Sequence, residues 1–339
     1  MKRRLLDYLA CPRCANALRL DGPSDRDVME GMLTCSGCGS TYEVRGGIPR
    51  FPLADDHEAT KVTRRTQRTY TYTWERVGEP AVEADWEKDS YHYTALIPAD
   101  LVGGPGRLGL DAGCGAGHDL LRMAESGAEL IGFDLSDGVE VAHRLTRHLP
   151  NVHVVQGDLN QMPFRAGIFD FIYSFGVLHH LPEPVRGVRN LARLLKPEAP
   201  LITYLYEDFG DRTRLERLLI GATRAVRRVT SRIPTAPLYA LCWLAAPAVW
   251  LTCSAPARAL SGVAPRLAER IPFRHTLRCS VLASDLFDRF APPVEFRYSR
   301  EGVRALYRQA GLERVESRRY RGWVSWGWLA PSGHVAASR

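Results

Sequence analysis

The feature that most constrains the fold is a glycine loop at residues 110–119, LDAGCGAGHD. It follows an apolar run and precedes the helix-like stretch DLLRMAESG, so the local order is strand, tight turn and helix. That order is typical of a loop that holds a nucleotide. A dinucleotide fingerprint would need a small residue where His118 stands, and a phosphate-binding loop would need a lysine that this loop lacks. The sequence therefore predicts a nucleotide-like ligand. This ligand is not NAD, and it is not bound through a terminal phosphate.

Apolar runs and helical stripes alternate after Arg107, which predicts βα units and a mainly parallel sheet. The predicted strands are RLGLDAG, AELIGFD, NVHVVQGD, FDFIYSF and PLITYLY, and the helix before the last of them is PVRGVRNLARLLKP. A further helix, EGVRALYRQAG, and two final strands, LERVESRRY and GWVSWGWLA, follow later. Ligands of such sheets bind beyond the carboxyl ends of the strands.

Aspartates end the first three predicted strands: Asp111, Asp134 and Asp158. A carboxylate after the second strand can accept hydrogen bonds from two ribose hydroxyls. Asp158, followed by the apolar Leu159, can accept one from the exocyclic amine of adenine. Asp111 favours a positive charge on the guest, and the N–H groups of the next helix favour a carboxylate. We expect a nucleoside with an amino acid tail and a sulfonium centre.

The motifs DAGCGAG, FDLS, GDLNQMPF and FDFIYSFGVLHHL resemble those of class I S-adenosylmethionine (SAM)-dependent methyltransferases of the type 11 group. The resemblance implies an α/β fold with a Rossmann-like sheet of seven strands, the last reversed, over residues 104–206 and 296–330. It implies that the glycines contact the methionine part of SAM, Asp134 the ribose, and Asp158 and Leu159 the adenine. The residues expected to bind SAM are Asp111, Gly113, Cys114, Gly115, Gly117, Asp134, Leu135, Asp158, Leu159, Ser174, Phe175 and Tyr72.

Two adjacent histidines, His179 and His180, follow the fourth predicted strand, where an acceptor would face the methyl group. Methyl transfer from a sulfonium depends mainly on alignment in a dry pocket, and a base matters only if the acceptor carries a proton of high pKa. A histidine with a pKa of about 6.5 can take such a proton. Both histidines are therefore candidate catalytic bases, and a structural role is the alternative.

Two Cys-x-x-Cys pairs lie twenty residues apart near the N-terminus: Cys11 with Cys14, and Cys35 with Cys38. This spacing predicts one tetrahedral zinc site with four thiolates and no open position, which is structural rather than catalytic. The stretches LLDYLACPRC and LTCSGCGSTYEVRGGIPRF resemble the zinc ribbon of Trm112-like proteins. The resemblance places a ribbon at residues 1–52. The other four cysteines are scattered and are expected to be packing residues.

Residues 53–103 form an aromatic-rich linker that is predicted to be helical or loop-like. Its aromatic side chains either form a lid over the cofactor or pack between the ribbon and the sheet. They are Tyr70, Tyr72, Trp74, Tyr91 and Tyr93.

Residues 207–295 interrupt the methyltransferase pattern and are predicted to form a helical cap insertion. The insertion opens with an amphipathic helix that carries seven arginines, and twenty-five uncharged residues, 233–257, follow. Four prolines are expected to divide this run into pieces of about ten residues. The segment is interpreted as a cap over an apolar pocket, or as a membrane-surface element at residues 212–257 that serves a lipid-linked acceptor. The apolar stripe of the first helix is Leu215, Leu218, Leu219, Ala222 and Val226.

Composition and charge limit the class of protein. Of the 339 residues, 45% are hydrophobic and 24% charged, which is ordinary for a globular protein. The formal charge is +7, but only four of the 45 basic residues are lysines and no five basic residues are consecutive, so the charge alone does not indicate nucleic-acid binding. The N-terminus lacks the apolar core of a signal peptide. We therefore expect a cytoplasmic protein, and peripheral membrane contact is the alternative.

The predicted activity is SAM-dependent transfer of a methyl group to an O, N or C atom of a small molecule or biosynthetic intermediate. An RNA methyltransferase that docks through the zinc ribbon is an alternative. Residues 174–177 read SFGV, whereas amine-methylating nucleic-acid enzymes often carry Asp or Asn, two prolines and an aromatic residue there. Transfer to a lipid-linked acceptor and a non-catalytic cofactor-binding role are further alternatives, and the oligomeric state is left open.

Overall fold

A computed structural model describes residues 1–21, 27–53, 57–77, 96–211, 213–268, 271, 273 and 278–331. The side chains at 57–60, 77, 215, 219 and 266 are outside this description. The chain divides into two compact units. The first comprises Met1–Tyr70, Ala95–Asp208 and Val294–Arg339, and the second comprises Thr71–Thr94 and Phe209–Pro293.

The N-terminal segment folds as a ribbon of four antiparallel strands in the order β1-β2-β3-β4. In the third strand, Tyr42 and Val44 are buried while the residues between and beside them are exposed, which is the period of two expected for a sheet with one covered face. The strands are β1 Leu18–Asp21, β2 Gly31–Cys35, β3 Thr41–Arg45 and β4 Ile48–Pro49.

The main sheet has seven strands in the order β10-β11-β9-β8-β5-β6-β7. Strands β5 to β9 are parallel, and β11 runs antiparallel to both of its neighbours, so β11 is the reversed strand. The predicted Rossmann-like sheet with a reversed last strand is therefore confirmed. The strands are β5 Leu108–Ala112, β6 Glu129–Asp134, β7 Val152–Gln156, β8 Phe171–Phe175, β9 Pro200–Leu205, β10 Leu312–Arg319 and β11 Trp323–Leu329.

Helices occupy the segments whose apolar residues recur at helical spacing. The fourth helix begins at Pro184, where a missing N–H is tolerated because first-turn N–H groups have no partner in the helix. The tenth begins after Ser299, whose Oγ accepts a hydrogen bond from Gly302 N at 3.0 Å. In chain order the α-helices are α1 His57–Val77, α2 His118–Ala124, α3 Gly138–Thr146, α4 Pro184–Ala192, α5 Arg214–Thr230, α6 Thr235–Val249, α7 Ala255–Ser261, α8 Pro265–Ala268, α9 Cys279–Phe290 and α10 Arg300–Gln309.

The ribbon covers the free edge of β7. Phe51 N donates to Gln156 O at 2.8 Å, and Leu9 forms an antiparallel bridge with Phe164. The buried side chains of Leu9, Phe51 and Phe164 belong to one hydrophobic cluster with Phe133 of β6. Since an exposed strand edge can pair with other chains, the ribbon both extends the core and protects this edge.

The second unit is helical in its described part. Helix α6 packs a stripe of Leu238, Cys242 and Ala246, spaced four residues apart, into a cluster with Leu286 and Phe287 of α9. This spacing places all three side chains on one face of the helix. Helix α5 is joined to α9 by a hydrogen bond from Thr230 Oγ1 to Phe290 O at 2.9 Å.

The prediction that prolines divide the uncharged run into short pieces is wrong. Helix α6 continues past Pro247 into a π-helical turn, Trp250–Ser254, and then into α7, so Thr235–Ser261 is one continuous helix. A proline inside a helix removes one hydrogen bond and displaces the carbonyl one turn before it, and the wider π turn accommodates this disturbance. Pro237 lies in the first turn, where no such bond is lost.

In the part of the chain that the structure describes, the Thr235–Ser261 helix is the one stretch long and apolar enough to cross a membrane. It has 27 residues and a window of mean hydropathy 1.5, of which 22% is buried inside the protein. Length and composition alone are weak grounds, because the core helix of a soluble protein passes the same test.

Candidate cofactor site and metal centre

The glycine loop turns sharply at the end of β5. Gly113 and Gly117 have φ angles of 95° and 84°, a region that favours glycine. A Cβ atom on Gly113 would lie 2.2 Å from Val177 Cγ2, and one on Gly117 would lie 2.8 Å from Ala142 Cβ. The loop is therefore bare backbone, and it contacts the segment that leads into the two histidines.

Asp134, at the end of β6, holds this loop in place. Its Oδ2 accepts a hydrogen bond from Gly115 N at 2.9 Å, and its Oδ1 accepts from Ser136 N at 2.7 Å and Ser136 Oγ at 2.6 Å. Burial raises the pKa of Asp134, and hydrogen bonds from Ser136 and Gly115 oppose the rise. The residue is half-buried, so part of it is accessible to a ligand beside the loop.

Asp111 is a buried carboxyl group at the end of β5. Its Oδ2 atom has no hydrogen-bond partner among the described residues. Burial raises the pKa of Asp111 well above its usual range, the negative charges of Asp119 and Asp134 add to the rise, and the Tyr173 hydroxyl opposes it. Burying a carboxylate without a partner costs free energy, and a positively charged ligand would offset that cost. Asp111 is therefore suited to the cationic ligand that the sequence predicts.

Asp158 and Leu159 lie on the turn after β7, next to the end of β6. Gly157 N donates to Asp134 O at 2.9 Å, which brings the two strand ends together. Asp158 Oδ1 accepts hydrogen bonds from the N and Nδ2 atoms of Asn160, both at 2.9 Å. Asp158 and Leu159, which are predicted to contact adenine, are both buried in this turn. The turn lies beside Asp134, which is predicted to bind the ribose.

The predicted residues of β8 are packed largely within the sheet. Ser174 is fully buried, and its Oγ donates to Ala112 O at 2.7 Å, which ties β8 to β5. The half-buried Phe175 ring lies against Tyr173, with ring centroids 5.3 Å apart. Cys114 is buried within the glycine loop. The hydroxyl of Ser174 thus has a structural partner, and its contact with SAM stays a prediction.

Helix α1 confirms that part of the linker is helical, and its first turns reach the strand ends. Gln67 Nε2 donates to Leu135 O at 3.0 Å, directly after the predicted ribose acid. The Tyr70 ring lies 5.7 Å from the ring of His180. Sequence reasoning did not select Gln67, because one polar residue on an amphipathic helix carries no distinguishing signal.

The other aromatic residues of the linker are placed differently. Tyr72, predicted to contact SAM, packs in the second unit against Tyr239 and Phe287, with ring centroids 5.5 and 5.7 Å away. Its role at the cofactor stays a prediction. Tyr91 and Tyr93 lie outside the described residues.

The two histidines are buried in a short 3-10 turn, Leu178–His180, directly after β8. His180 Nδ1 lies 2.8 Å from Val294 O, which can only accept a hydrogen bond. This contact assigns the proton of the neutral ring to Nδ1 and leaves the basic lone pair on Nε2. His180 therefore has the tautomer that a general base acting through Nε2 requires.

His179 packs against the ring of Tyr206 in a tilted arrangement. Its ring centroid lies 4.0 Å from that of Tyr206, and its backbone oxygen accepts from Phe296 N at 2.8 Å. Tyr206 follows β9 and is half-buried beside the histidines, yet sequence reasoning did not select it. The available signal was an aromatic residue at the carboxyl end of a parallel strand.

The four predicted zinc ligands come together. The sulfur atoms of Cys11, Cys14, Cys35 and Cys38 lie within 4.8 Å of one another, with 3.7 Å between Cys11 and Cys38 and 3.4 Å between Cys14 and Cys35. A tetrahedral ion with Zn–S bonds of about 2.3 Å requires sulfur separations of about 3.8 Å. The cluster fits a structural zinc ion.

Together, the sheet order, the bare glycine loop and the acids at the strand ends have the arrangement expected for a SAM-dependent methyltransferase domain. Comparison with known families agrees with this class. Residues 110–203 match the family described as a methyltransferase domain, and residues 2–47 match the Trm112p-like proteins. The chain thus carries a Trm112p-like module followed by a methyltransferase domain, and the resemblance drawn from the sequence is confirmed.

Individual relatives match over part of the chain. An uncharacterized 37.1 kDa protein of a Streptomyces fradiae transposon is 32% identical over 146 residues, 42% of each chain. The tRNA U34 carboxymethyltransferase of Hydrogenovibrio crunogenus is 33% identical over 125 residues, 34% of this chain and 35% of that protein. The chain therefore spans less than half the length of these curated relatives.

Among solved structures, the 1,6-didemethyltoxoflavin-N1-methyltransferase of Burkholderia thailandensis, with bound S-adenosylhomocysteine, covers 91% of this chain and all of its own. The identity is 15% and the TM-score is 0.49. At this level of similarity it informs neither substrate nor partner.

Loss of the metal should unfold the ribbon and destabilise the sheet that it covers. We expect Cys35→Ser to lower Tm by about 10 °C, because structural zinc contributes several kcal/mol and the ribbon shares its core with β6. Differential scanning calorimetry with zinc analysis measures this. Cys253→Ser, outside the cluster, is the matched control, and equal Tm values for the two variants would contradict the prediction.

The affinity for SAM should rise with pH. Because the pKa of Asp111 is raised, its carboxyl is protonated to a higher pH than usual, and a cationic ligand binds better once that proton has left. Asp111→Asn should weaken SAM binding about tenfold at pH 8, or ~1.4 kcal/mol, and flatten the pH dependence. Isothermal titration calorimetry measures both effects. Asp100→Asn removes an exposed carboxylate and should leave them unchanged; wild-type affinity in Asp111→Asn would refute this role.

Proposed function

We propose that this protein is a SAM-dependent methyltransferase that acts on RNA. The observation that carries the proposal is the pair of acids at the glycine loop. Asp134 fixes the loop through Gly115 N, and Asp111 is a buried carboxyl with an unsatisfied oxygen beside it. A cationic nucleoside offsets the cost of both acids at once, whereas a phosphate would be repelled by them.

The proposed roles follow from the positions of the side chains. Asp134 binds the ribose hydroxyls of SAM, and Asp158 with Leu159 contacts the adenine. The loop from Gly113 to Gly117 accommodates the methionine part against bare backbone. Asp111 balances the positive charge of the ligand. Their common position beyond the carboxyl ends of β5, β6 and β7 supports these roles, since ligands of such sheets bind there.

When bound, SAM supplies a methyl group on a positively charged sulfur. An acceptor atom would take this methyl group, and the electron pair of the broken carbon–sulfur bond would remain with sulfur. The protein aligns the acceptor and excludes water, a contribution that the aromatic rings of Tyr70 and Tyr206 beside the histidines support.

His180 is the proposed base for an acceptor that must lose a proton. Its Nδ1–H donates to Val294 O, which fixes the ring and directs the basic lone pair to Nε2. His179, packed against Tyr206, is the proposed positioning residue for the turn. The proton of the acceptor passes to His180 Nε2, and the carbonyl of Val294 stabilises the resulting imidazolium.

RNA is the proposed acceptor class because relatives at about a third identity are tRNA U34 carboxymethyltransferases, which favours RNA over the small molecule that the sequence alone suggested. The formal charge of +7 is compatible with a polyanionic acceptor. The SFGV sequence at the end of β8 differs from the motif common in amine-methylating enzymes, so a ribose hydroxyl or a ring atom is the proposed target.

Transfer of label from methyl-labelled SAM tests the acceptor class. Purified protein is incubated with fractionated RNA, lipid and small polar metabolites, and we expect label in the RNA fraction. Asp134→Ala should reduce both SAM binding and labelling at least about tenfold. Label in metabolites or lipid alone would exclude RNA as the acceptor, and absence of SAM binding by calorimetry would refute methyl transfer itself.

Replacement of the proposed base should change turnover and not cofactor affinity. We expect His180→Ala to lower kcat by about a hundredfold or more, with SAM affinity within about twofold, and to remove the acidic limb of the pH–rate profile. His179→Phe retains an aromatic ring and should keep most of the activity. Unchanged turnover in His180→Ala would eliminate the base.

A further inference from the structure

Large apolar side chains are exposed along the helices of the second unit. Among the described residues, nine of the twelve exposed large hydrophobic side chains fall between residues 218 and 267. Leu218, Leu244 and Leu251 are 71%, 78% and 64% exposed. Such a concentration of exposed apolar groups marks an interaction site. We call these nine residues the apolar surface: Leu218, Val226, Val229, Leu241, Trp243, Leu244, Leu251, Val263 and Leu267.

Helix α5 presents its apolar side outward. Leu218, Ala222 and Val229 share one helix face and all are exposed. Arg227, about half a turn away from that face, is buried. An amphipathic helix that covers a core turns its apolar side inward, so α5 is oriented for a partner outside the chain.

Helix α6 has two apolar faces and only one of them is covered. Leu238, Cys242 and Ala246 pack in the cluster with α9. Leu241, Leu244 and the following Leu251, at spacings of three and seven, form a second row that is exposed. No charged residue occurs between 233 and 257, so nothing on this face favours contact with water.

Arginines border the apolar surface. Residues 212–268 contain nine arginines and a single acid, Glu216. On α5, Arg217, Arg224 and Arg228 are exposed beside the apolar side of the helix. Apolar side chains flanked by cations on a helix are the pattern of segments that lie at the surface of an anionic membrane.

We propose that the apolar surface docks this protein onto an anionic lipid bilayer. Anionic headgroups complement the bordering arginines, and the hydrocarbon below them accepts the leucine and tryptophan side chains. A second copy of this chain is a poorer partner, because its own arginines would face those of the first. RNA would satisfy the arginines but would leave Leu244 and Leu251 in water.

The helix lies on the bilayer and does not cross it. Crossing would carry α9, which packs on the Leu238–Ala246 stripe, into the bilayer together with its charged residues Asp285, Asp288 and Arg289. The exposed row on the opposite side of α6 can enter the headgroup region without disturbing that packing. This docking is independent of the acceptor class, since it uses no residue of the cofactor site.

Flotation with lipid vesicles tests the docking. The full-length protein is mixed with vesicles of phosphatidylcholine and phosphatidylglycerol at about 3:1, or of phosphatidylcholine alone. We expect flotation with the anionic vesicles and at least about tenfold weaker binding to the neutral ones, because surface charge and apolar insertion act together. Leu244→Glu/Leu251→Glu should reduce binding at least about tenfold.

Met29→Glu/Met32→Glu is the matched control, since it adds the same charge at two exposed apolar residues of the ribbon. It should bind vesicles like the wild type. Calorimetric titration of each variant with SAM shows whether the variant is folded with an intact cofactor site. Loss of vesicle binding can therefore be distinguished from loss of methyl transfer. Leu244→Ser/Leu251→Ser replaces the glutamate variant if that variant does not fold.

Three outcomes would overturn the proposal. The first is no binding to anionic vesicles. The second is binding that survives both leucine variants, disappears in Arg224→Ala/Arg228→Ala and is displaced by RNA, which would make this a polyanion-binding surface. The third is a dimer in sedimentation that Leu244→Glu/Leu251→Glu dissociates, without vesicle binding, which would make the surface an interface between copies of this chain.

Discussion

The candidate site depends on one hydrogen bond, from Gly115 N to the carboxylate of Asp134. It joins the loop after β5 to the end of β6 and so fixes the backbone that a cofactor would contact. Gly113 and Gly117 adopt backbone angles that other residues reach only with strain, and neighbouring side chains fill the space where a Cβ would lie. The strand order places β8 on the other side of β5, so the histidine turn meets the same loop.

The buried carboxyl of Asp111 lowers the stability of the folded protein. A carboxyl whose pKa is raised in the folded protein reduces the free energy of unfolding as pH rises from its usual pKa toward the folded value. As pH rises through this range, the fold increasingly carries a negative charge that burial disfavours. A ligand with the opposite charge raises the free energy of unfolding when it binds, and the gain grows with its concentration and affinity. Such a ligand would offset the destabilising effect of the buried Asp111 carboxylate.

The sequence predicted the sheet, the acids and the zinc ligands because each has a local signature. Apolar runs ending in Asp111, Asp134 and Asp158 mark buried parallel strands, and two Cys-x-x-Cys pairs mark a metal. Gln67 had no such signature, since its position depends on how distant segments pack, and Tyr206 offered only the weaker signal of an aromatic residue at the end of a strand. What covers the apolar side of α5 was left open, because helical periodicity shows an apolar face without showing its partner. The continuous helix through Pro247 was missed because a proline inside an apolar run usually ends a helix.

The ribbon that covers the edge of β7 is part of the same chain as the sheet. When two modules must find each other in solution, their association falls as either becomes dilute, whereas a covalent connection keeps the local concentration of one near the other high at any expression level. Phe51 pairing with Gln156 is thus an intramolecular contact. Every copy made carries both modules in equal amount, so covering this edge requires no separate protein.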